Sequence, residues 1–237
     1  QYYVASVMFI IQLFADFSGY TDIAIGSARL MGVRLQENFN RPFFTTSLSR
    51  FWARWHMSLT TWIRDYLFKP LIFSYRDWAW AVTIFVFVVI GLWHGAAWTF
   101  VLFGFFNGVI MVLQNMYQGI KPLREFNRSR VGKVILAIWN FNLLALLGVF
   151  FRAGNVTDSF EIIKRICLDT RLKASDLRSA FMAEMYIGMM LLVLLAVTTL
   201  FNRELRFRWN WMYITVMLVL IFLMGSDSSN QFIYFQF

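Results

Sequence analysis

The sequence predicts an all-α polytopic membrane protein. Of its 237 residues, 59% are hydrophobic and the mean hydropathy is +0.57, which is more apolar than soluble domains of this length. No residue between Asp77 and Lys121 is charged, and that run is about twice as long as a single bilayer-spanning helix requires. Its apolar residues are continuous rather than alternating, which excludes the strand pattern of a membrane barrel.

The first predicted span covers about residues 3–30 and is interrupted by a polar cluster at residues 16–22. Gly19 lies inside this cluster and could allow a helix break or a close helix approach. The polar side chains either line a cavity or cap broken helices and pair with arginines; they are Asp16, Tyr20 and Asp22.

A basic and aromatic segment follows from Arg34 to Arg76. A helix is expected to begin near Leu48, and Arg50 and Arg54 would share one of its faces. Two like charges at that spacing repel unless an anion lies opposite, either a lipid phosphate or the phosphates of a donor such as coenzyme A. The tryptophans of this segment suit the membrane interface, so we expect an amphipathic or re-entrant element.

The uncharged run must fold back, because one helix of that length would be about 65 Å long. The expected break lies between Gly91 and Gly95. A first limb of residues 78–90 would then be too short to cross, whereas the second limb, residues 96–119, would be long enough. This arrangement puts His94 below the membrane surface at a helix break, where backbone must face protein or a water-filled cavity.

The remainder predicts further spans joined by basic loops. We expect a basic loop at residues 121–133, an amphipathic helix at 155–166, a basic loop at 203–208, and spans at 134–151, 181–201 and 209–224. The positive-inside rule places both basic loops in the cytoplasm and the aromatic tail outside. We read the net charge of +9 as contact with anionic lipid and expect no nucleic-acid partner. The chain, residues 1–237, is expected to form a single transmembrane domain.

His56 and His94 are the only two histidines, and each lies in an apolar stretch rich in tryptophan. An ionisable side chain at membrane depth is a functional candidate by default, and imidazole exchanges protons near neutral pH. The alternative is a histidine satisfied by a neighbouring helix. No metal is expected, since two distant histidines fall short of a usual ligand set. Cys167 is the only cysteine, which excludes an internal disulfide.

Several motifs together resemble the membrane-bound O-acyltransferase (MBOAT) family, in the branch with the bacterial alginate O-acetylation and teichoic acid D-alanyl transfer proteins. They are QLFADFSGYTDIAIG at 12–26, NFNRPF at 38–43, RFWARWHMSLTTWIRDY at 50–66, GLWHGAAWTF at 91–100, FFRA at 150–153 and FIYFQF at 232–237. The resemblance implies a helical bundle with re-entrant or amphipathic helices around a buried histidine. Family members are usually about twice as long, so the chain is expected to be the C-terminal part of a longer protein.

The resemblance implies O-acyl transfer, with acetyl as the expected group. His94 would be the general base on the attacking hydroxyl, and His56 would orient the acyl carbonyl or stabilise developing negative charge. Substrate contacts are expected from five residues of these segments: Arg50, Arg54, Asp65, Trp93 and Asn107. Asn107 stands where several relatives carry a further histidine, and it can form hydrogen bonds but cannot shuttle protons.

No bound cofactor is expected, and the acyl donor would be acetyl-CoA or another cytoplasmic acyl thioester. The acceptor would be an extracytoplasmic polysaccharide or wall polymer at the bacterial cytoplasmic membrane. Expected partners are membrane lipid and extracytoplasmic acetyltransferase or polymer-export subunits. The alternatives are a transporter, with histidines lining a polar pathway, and a non-catalytic scaffold of a modification or export complex.

Overall fold

The computed structural model describes residues 2–118 and 120–168, and this part of the chain is helical with no strand. Four stretches are long and apolar enough to cross a membrane: Tyr2–Leu30, Arg76–His94, Trp98–Gln118 and Arg130–Arg152. The prediction of an all-α polytopic membrane protein is therefore confirmed. The spans predicted at 181–201 and 209–224, the loop at 203–208 and the tail lie outside the described residues.

The first helix, α1 (Tyr2–Leu30), runs through the polar cluster without a break, so the expected interruption is wrong. Two hydroxyls of the cluster bond back to the carbonyls of their own helix. Ser18 donates to Ala15 at 3.4 Å and Thr21 donates to Ser18 at 2.9 Å. A Cβ added at Gly19 would meet none of the described residues within 4 Å, so among them this glycine serves neither a break nor a close approach.

The segment after α1 is built from short helices, consistent with the expected re-entrant or amphipathic element. They are α2 (Leu48–Trp52), α3 (Met57–Ile63), a π-helical turn (Arg64–Phe68), α4 (Lys69–Ser74) and a 3₁₀ turn (Arg76–Trp78). Ser47 caps α2 by accepting from the Arg50 amide at 3.3 Å. Apolar side chains of this segment enter the core, so it is packed among the long helices.

Helices α5 (Ala79–His94) and α6 (Trp98–Gln118) form an antiparallel hairpin with a three-residue connection. A Cβ at Gly91 would lie 2.1 Å from the Phe100 carbonyl oxygen, and one at Gly104 would lie 2.1 Å from the Phe87 carbonyl oxygen. Gly104 and Gly108 also form the GxxxG spacing that allows close packing of membrane helices. The break thus begins at Gly95, the last residue of the expected range. Gly91 stays helical, and its missing side chain admits the backbone of α6.

The connection to the last long helix is also helical. Residues expected to form a basic loop form α7 (Lys121–Arg128), followed by Ser129, which caps α8 (Arg130–Arg152) by accepting from Gly132 at 2.9 Å. The span predicted at 134–151 lies inside α8, and the predicted amphipathic helix is α9 (Val156–Leu168). The bundle therefore closes with α8 against α1 and α6, and α9 beside them.

Candidate active site

His94 is the last residue of α5, at the entrance to the tight turn of the hairpin. Its half-buried ring meets Phe151 of α8 edge-on at 4.9 Å between ring centroids and stacks near Phe100 of α6 at 6.5 Å. A Cβ at Gly95 would lie 2.6 Å from the Phe100 ring. Glycine is therefore needed at this position so that Phe100 can pack over the turn and fix the end of α5.

His56 lies in a different part of the chain, in the turn between α2 and α3. Its backbone is left-handed (φ 45°), and its buried ring meets Phe17 of α1 edge-on at 4.8 Å. Asn38 holds the turn in place. Its backbone carbonyl accepts from the Met57 amide at 2.9 Å, and its side-chain oxygen accepts from the Ser58 amide at 3.1 Å.

Trp93 brings the two histidines together. Its ring centroid is 5.9 Å from that of His56 and 4.9 Å from that of His94. Two residues 38 positions apart in the sequence therefore contact one indole. Trp93 is 55% exposed, so the described part of the chain leaves this side of the histidine pair uncovered.

Burial determines the charge state of His56. Desolvation lowers its pKa to about 4, and a hydrogen bond to its own backbone raises that pKa only in part. The imidazole is therefore neutral at physiological pH. A neutral ring offers one N–H donor and one lone pair, which suits it to exchange or accept protons rather than to hold an anion by charge.

Backbone strain is concentrated in the same segment. Arg41, Phe44 and His56 have φ values of 47°, 55° and 45°, in the left-handed region that non-glycine residues rarely adopt. Each such residue costs about 1–3 kcal/mol and persists only when its surroundings hold it. Because strain of this kind clusters at functional sites, it supports the turn around His56 as one.

The expectation that Arg50 and Arg54 lie on one helix is wrong. Helix α2 ends at Trp52, and the Arg54 carbonyl accepts from the Asn40 amide at 3.0 Å instead of continuing the helix. The Arg54 side chain donates to the Arg41 carbonyl at 3.5 Å, while that of Arg50 is exposed and donates to Thr46 at 3.1 Å. The strained loop of residues 38–44 takes the hydrogen bonds that a longer α2 would have used.

The Asp65 carboxylate forms ion pairs with two neighbouring cations. Arg64 binds its carboxylate through two nitrogens, each at 3.0 Å, and the Lys69 ammonium lies at 2.7 Å. These partners hold the pKa of the Asp65 carboxyl well below its usual range. The residue lies in the π-helical turn, a geometry frequent at functional sites. A substrate would have to compete with two cations for this carboxylate.

Asn107 lies in the interior with no exposed surface. Its side-chain oxygen accepts from the Trp52 indole at 3.2 Å, and its amide donates to the Phe103 carbonyl at 2.8 Å. The oxygen therefore joins α2 to α6, whereas the amide nitrogen bonds within α6. This placement favours a packing role, so the substrate contact expected of Asn107 would have to displace one of these bonds.

The polar cluster of α1 lies on the helix that supplies Phe17 to His56. Asp16 is half-buried, whereas Tyr20 and Asp22 are exposed. The residues that sequence reasoning missed are the partners of the histidines: Phe17, Asn38, Ser58 and Phe151. Of these four residues, only Asn38 could have been recognised from the sequence, because an asparagine in a turn often bonds to backbone amides. Among the described residues, no group of three His, Cys, Asp or Glu side chains could hold a metal ion.

These features define a class, a helical membrane protein with a pair of histidines held inside its bundle. Residues 2–151 match the membrane-bound O-acyltransferase family, MBOAT, and the chain belongs to that family. The family resemblance noted from the motifs is thereby confirmed, including the branch to which it pointed.

Relatives in this branch include three kinds of bacterial protein. A peptidoglycan O-acetyltransferase from Helicobacter pylori is 33% identical over 69% of this chain and 31% of its own length. A probable alginate O-acetylase AlgI from Azotobacter vinelandii is 32% identical over 82% of this chain and 38% of its own length. A teichoic acid D-alanyltransferase from Bacillus subtilis is 36% identical over 53% of this chain and 34% of its own length. The chain thus spans about a third of the length of the curated relatives it matches.

Proposed function

We propose that the full protein transfers an acyl group, with acetyl as the first candidate, to hydroxyls of an extracytoplasmic polysaccharide or wall polymer. The observation that carries this proposal is the convergence of His56 and His94 on Trp93. Family membership supports the reaction class, and the named relatives are O-acetyltransferases and D-alanyltransferases of bacterial polymers. Those relatives also support a location in the bacterial cytoplasmic membrane.

The reaction needs a proton acceptor beside the attacking hydroxyl. In the proposed mechanism, that hydroxyl attacks the carbonyl carbon of an acyl thioester while His94 takes its proton. The carbon–sulfur bond then breaks, and the leaving thiolate takes the proton from His94. Trp93 would pack against the substrate, since its exposed indole lies between both imidazoles.

The donor would be acetyl-CoA or another cytoplasmic acyl thioester. Arg50 is the better candidate of the two arginines for its phosphates, because its side chain is exposed while Arg54 is half-buried and bonded to a backbone carbonyl. Asp65 and Asn107 remain secondary candidates for substrate contacts, given their existing partners. Extracytoplasmic acetyltransferase or polymer-export subunits are the proposed protein partners, alongside membrane lipid.

The test compares strains that carry the full-length wild-type protein and His94→Ala. Mild alkali releases ester-linked acetate from the exopolysaccharide or wall polymer, and we expect this acetate to be lost at an unchanged protein level in the membrane. Lys164→Ala on the exposed face of α9 is the control and should keep the acetate. Unchanged acetate in the His94→Ala strain, with no other released acid altered, would contradict the proposal. Cleavage of an acyl thioester by isolated membranes separates the alternatives, because a transporter or a scaffold would not catalyse it.

A further inference from the structure

We propose that Asn38 and Ser58 are positioning residues that hold His56 in the tautomer with its proton on Nδ1. The lone pair on Nε2 is then left to accept a hydrogen bond from a hydroxyl of the acceptor next to the one that attacks. The tautomer follows from contacts within this chain, whereas the contact with a hydroxyl rests on the proposed acyl transfer.

The contact with Ser58 fixes the orientation of the Asn38 side-chain amide. The backbone N–H of Ser58 lies 3.1 Å from one atom of the Asn38 side chain. A backbone N–H can only donate, so that atom must be the carbonyl oxygen, Oδ1. The orientation is fixed further because the Asn38 backbone carbonyl accepts from the Met57 amide at 2.9 Å.

The contact with Asn38 also determines where the proton of the Ser58 hydroxyl lies. Its oxygen lies 2.7 Å from the same Oδ1 atom of Asn38, a usual length for a hydrogen bond between two oxygens. An amide oxygen can only accept, so the hydroxyl must donate its single proton to Asn38. The Ser58 oxygen then presents only lone pairs to its other neighbours.

One of those neighbours is the His56 ring. The Ser58 oxygen lies 3.4 Å from Nδ1, a long contact, but one that would set two lone pairs against each other if Nδ1 carried no proton. The contact with Ser58 therefore favours the tautomer with the proton on Nδ1, which donates to the Ser58 oxygen.

This tautomer changes the role expected of His56. A ring with its lone pair on Nε2 cannot donate to an acyl carbonyl from that atom, and the burial of His56 disfavours the doubly protonated form that could. His56 therefore accepts through Nε2. In the acyl transfer proposed above, it would accept from a second hydroxyl of the acceptor, and so align the attacking hydroxyl, whose proton His94 takes.

Nitrogen NMR of the full-length protein with isotope-labelled histidine tests the tautomer directly. The His56 signals are assigned as those lost in His56→Gln. We expect a protonated Nδ1 and an unprotonated Nε2 in the wild type. Ser58→Ala should shift the proton toward Nε2, which neutral histidine favours without a local acceptor, and Ser58→Thr should keep it on Nδ1. A proton on Nε2 in the wild type, or no change in Ser58→Ala, would overturn the assignment.

Acyl transfer separates this proposal from a merely structural role of the turn. Ser58→Ala should lower the rate by about tenfold, since a His56 ring with its proton on Nε2 cannot accept the aligning hydrogen bond, and Ser58→Thr should restore it. Equal losses in both variants would overturn the positioning role. A wild-type protein with the expected tautomer but no acyl transfer would refute the proposed function while leaving the tautomer assignment intact.

Discussion

In the hairpin that carries His94, Gly104 is the position where one added methyl group should be most destabilising. A Cβ there would lie 2.1 Å from the Phe87 carbonyl oxygen. Carbon and carbonyl oxygen in close contact are about 3.3 Å apart, so α5 and α6 would have to separate by about 1.2 Å. The obstructing atom belongs to the backbone and cannot rotate away, so the whole hairpin must adjust.

The cost of this separation can be estimated from the usual penalty for overpacking. We expect Gly104→Ala to lower the free energy of unfolding by about 3 kcal/mol, the upper part of the range for such changes. For a unit the size of this chain, that loss lowers the melting temperature by about 6–12 °C, and the shift is smaller in a longer full-length protein. Because the hairpin turn holds His94 against Phe151, acyl transfer should fall as well.

The assay is thermal unfolding of the full-length protein in detergent, with Gly19→Ala as the matched control. A Cβ at Gly19 meets none of the described residues within 4 Å, so we expect only the effect of the better helix propensity of alanine, about 1 kcal/mol in the stabilising direction. Equal melting temperatures for Gly104→Ala and Gly19→Ala would refute the close backbone contact between α5 and α6.

Two further predictions concern the segment around His56. Trp52→Phe removes the indole donor to the buried Asn107 oxygen and should lower the free energy of unfolding by about 2 kcal/mol, whereas Trp62→Phe at an exposed position should change it by about 0.5 kcal/mol or less; denaturant titration measures both. The folded state lowers the pKa of His56 from 6.5 to about 4, so the unfolded state binds more protons between these values. Stability should therefore fall as the pH drops from 6.5 to 4, and His56→Gln should reduce this slope in thermal melts; an identical slope in that variant would contradict the burial of a neutral ring.

The long spans could be predicted because continuous apolar sequence has few other solutions in a membrane. The break in the uncharged run was expected within residues 91–95 and begins at Gly95; the sequence could not narrow it further because Gly91 and Gly95 look alike. They differ only in their neighbours: Gly91 faces the backbone of α6, and Gly95 faces the Phe100 ring. The close approach that decides between them is a tertiary contact, which local sequence does not specify.

The candidate site could be predicted only in part, because its geometry also depends on tertiary contacts. Both histidines were found from their motifs, but their meeting at Trp93 depends on how a strained turn packs against the hairpin. The pairing of Arg50 with Arg54 failed because Asn40 ends the helix from a distant part of the chain. Ser58 was missed because its role arises from two partners at once, Asn38 and His56.

The most direct test of the account follows the acyl group itself. Membranes that contain the full-length protein would be given a radiolabelled acyl thioester and the acceptor polymer, and alkali-labile label on the polymer would be counted. We predict transfer by the wild type and by Lys164→Ala, and loss of transfer by His94→Ala at equal protein level. Undiminished transfer by His94→Ala would contradict the claim that the histidine pair beside Trp93 is the site of acyl transfer.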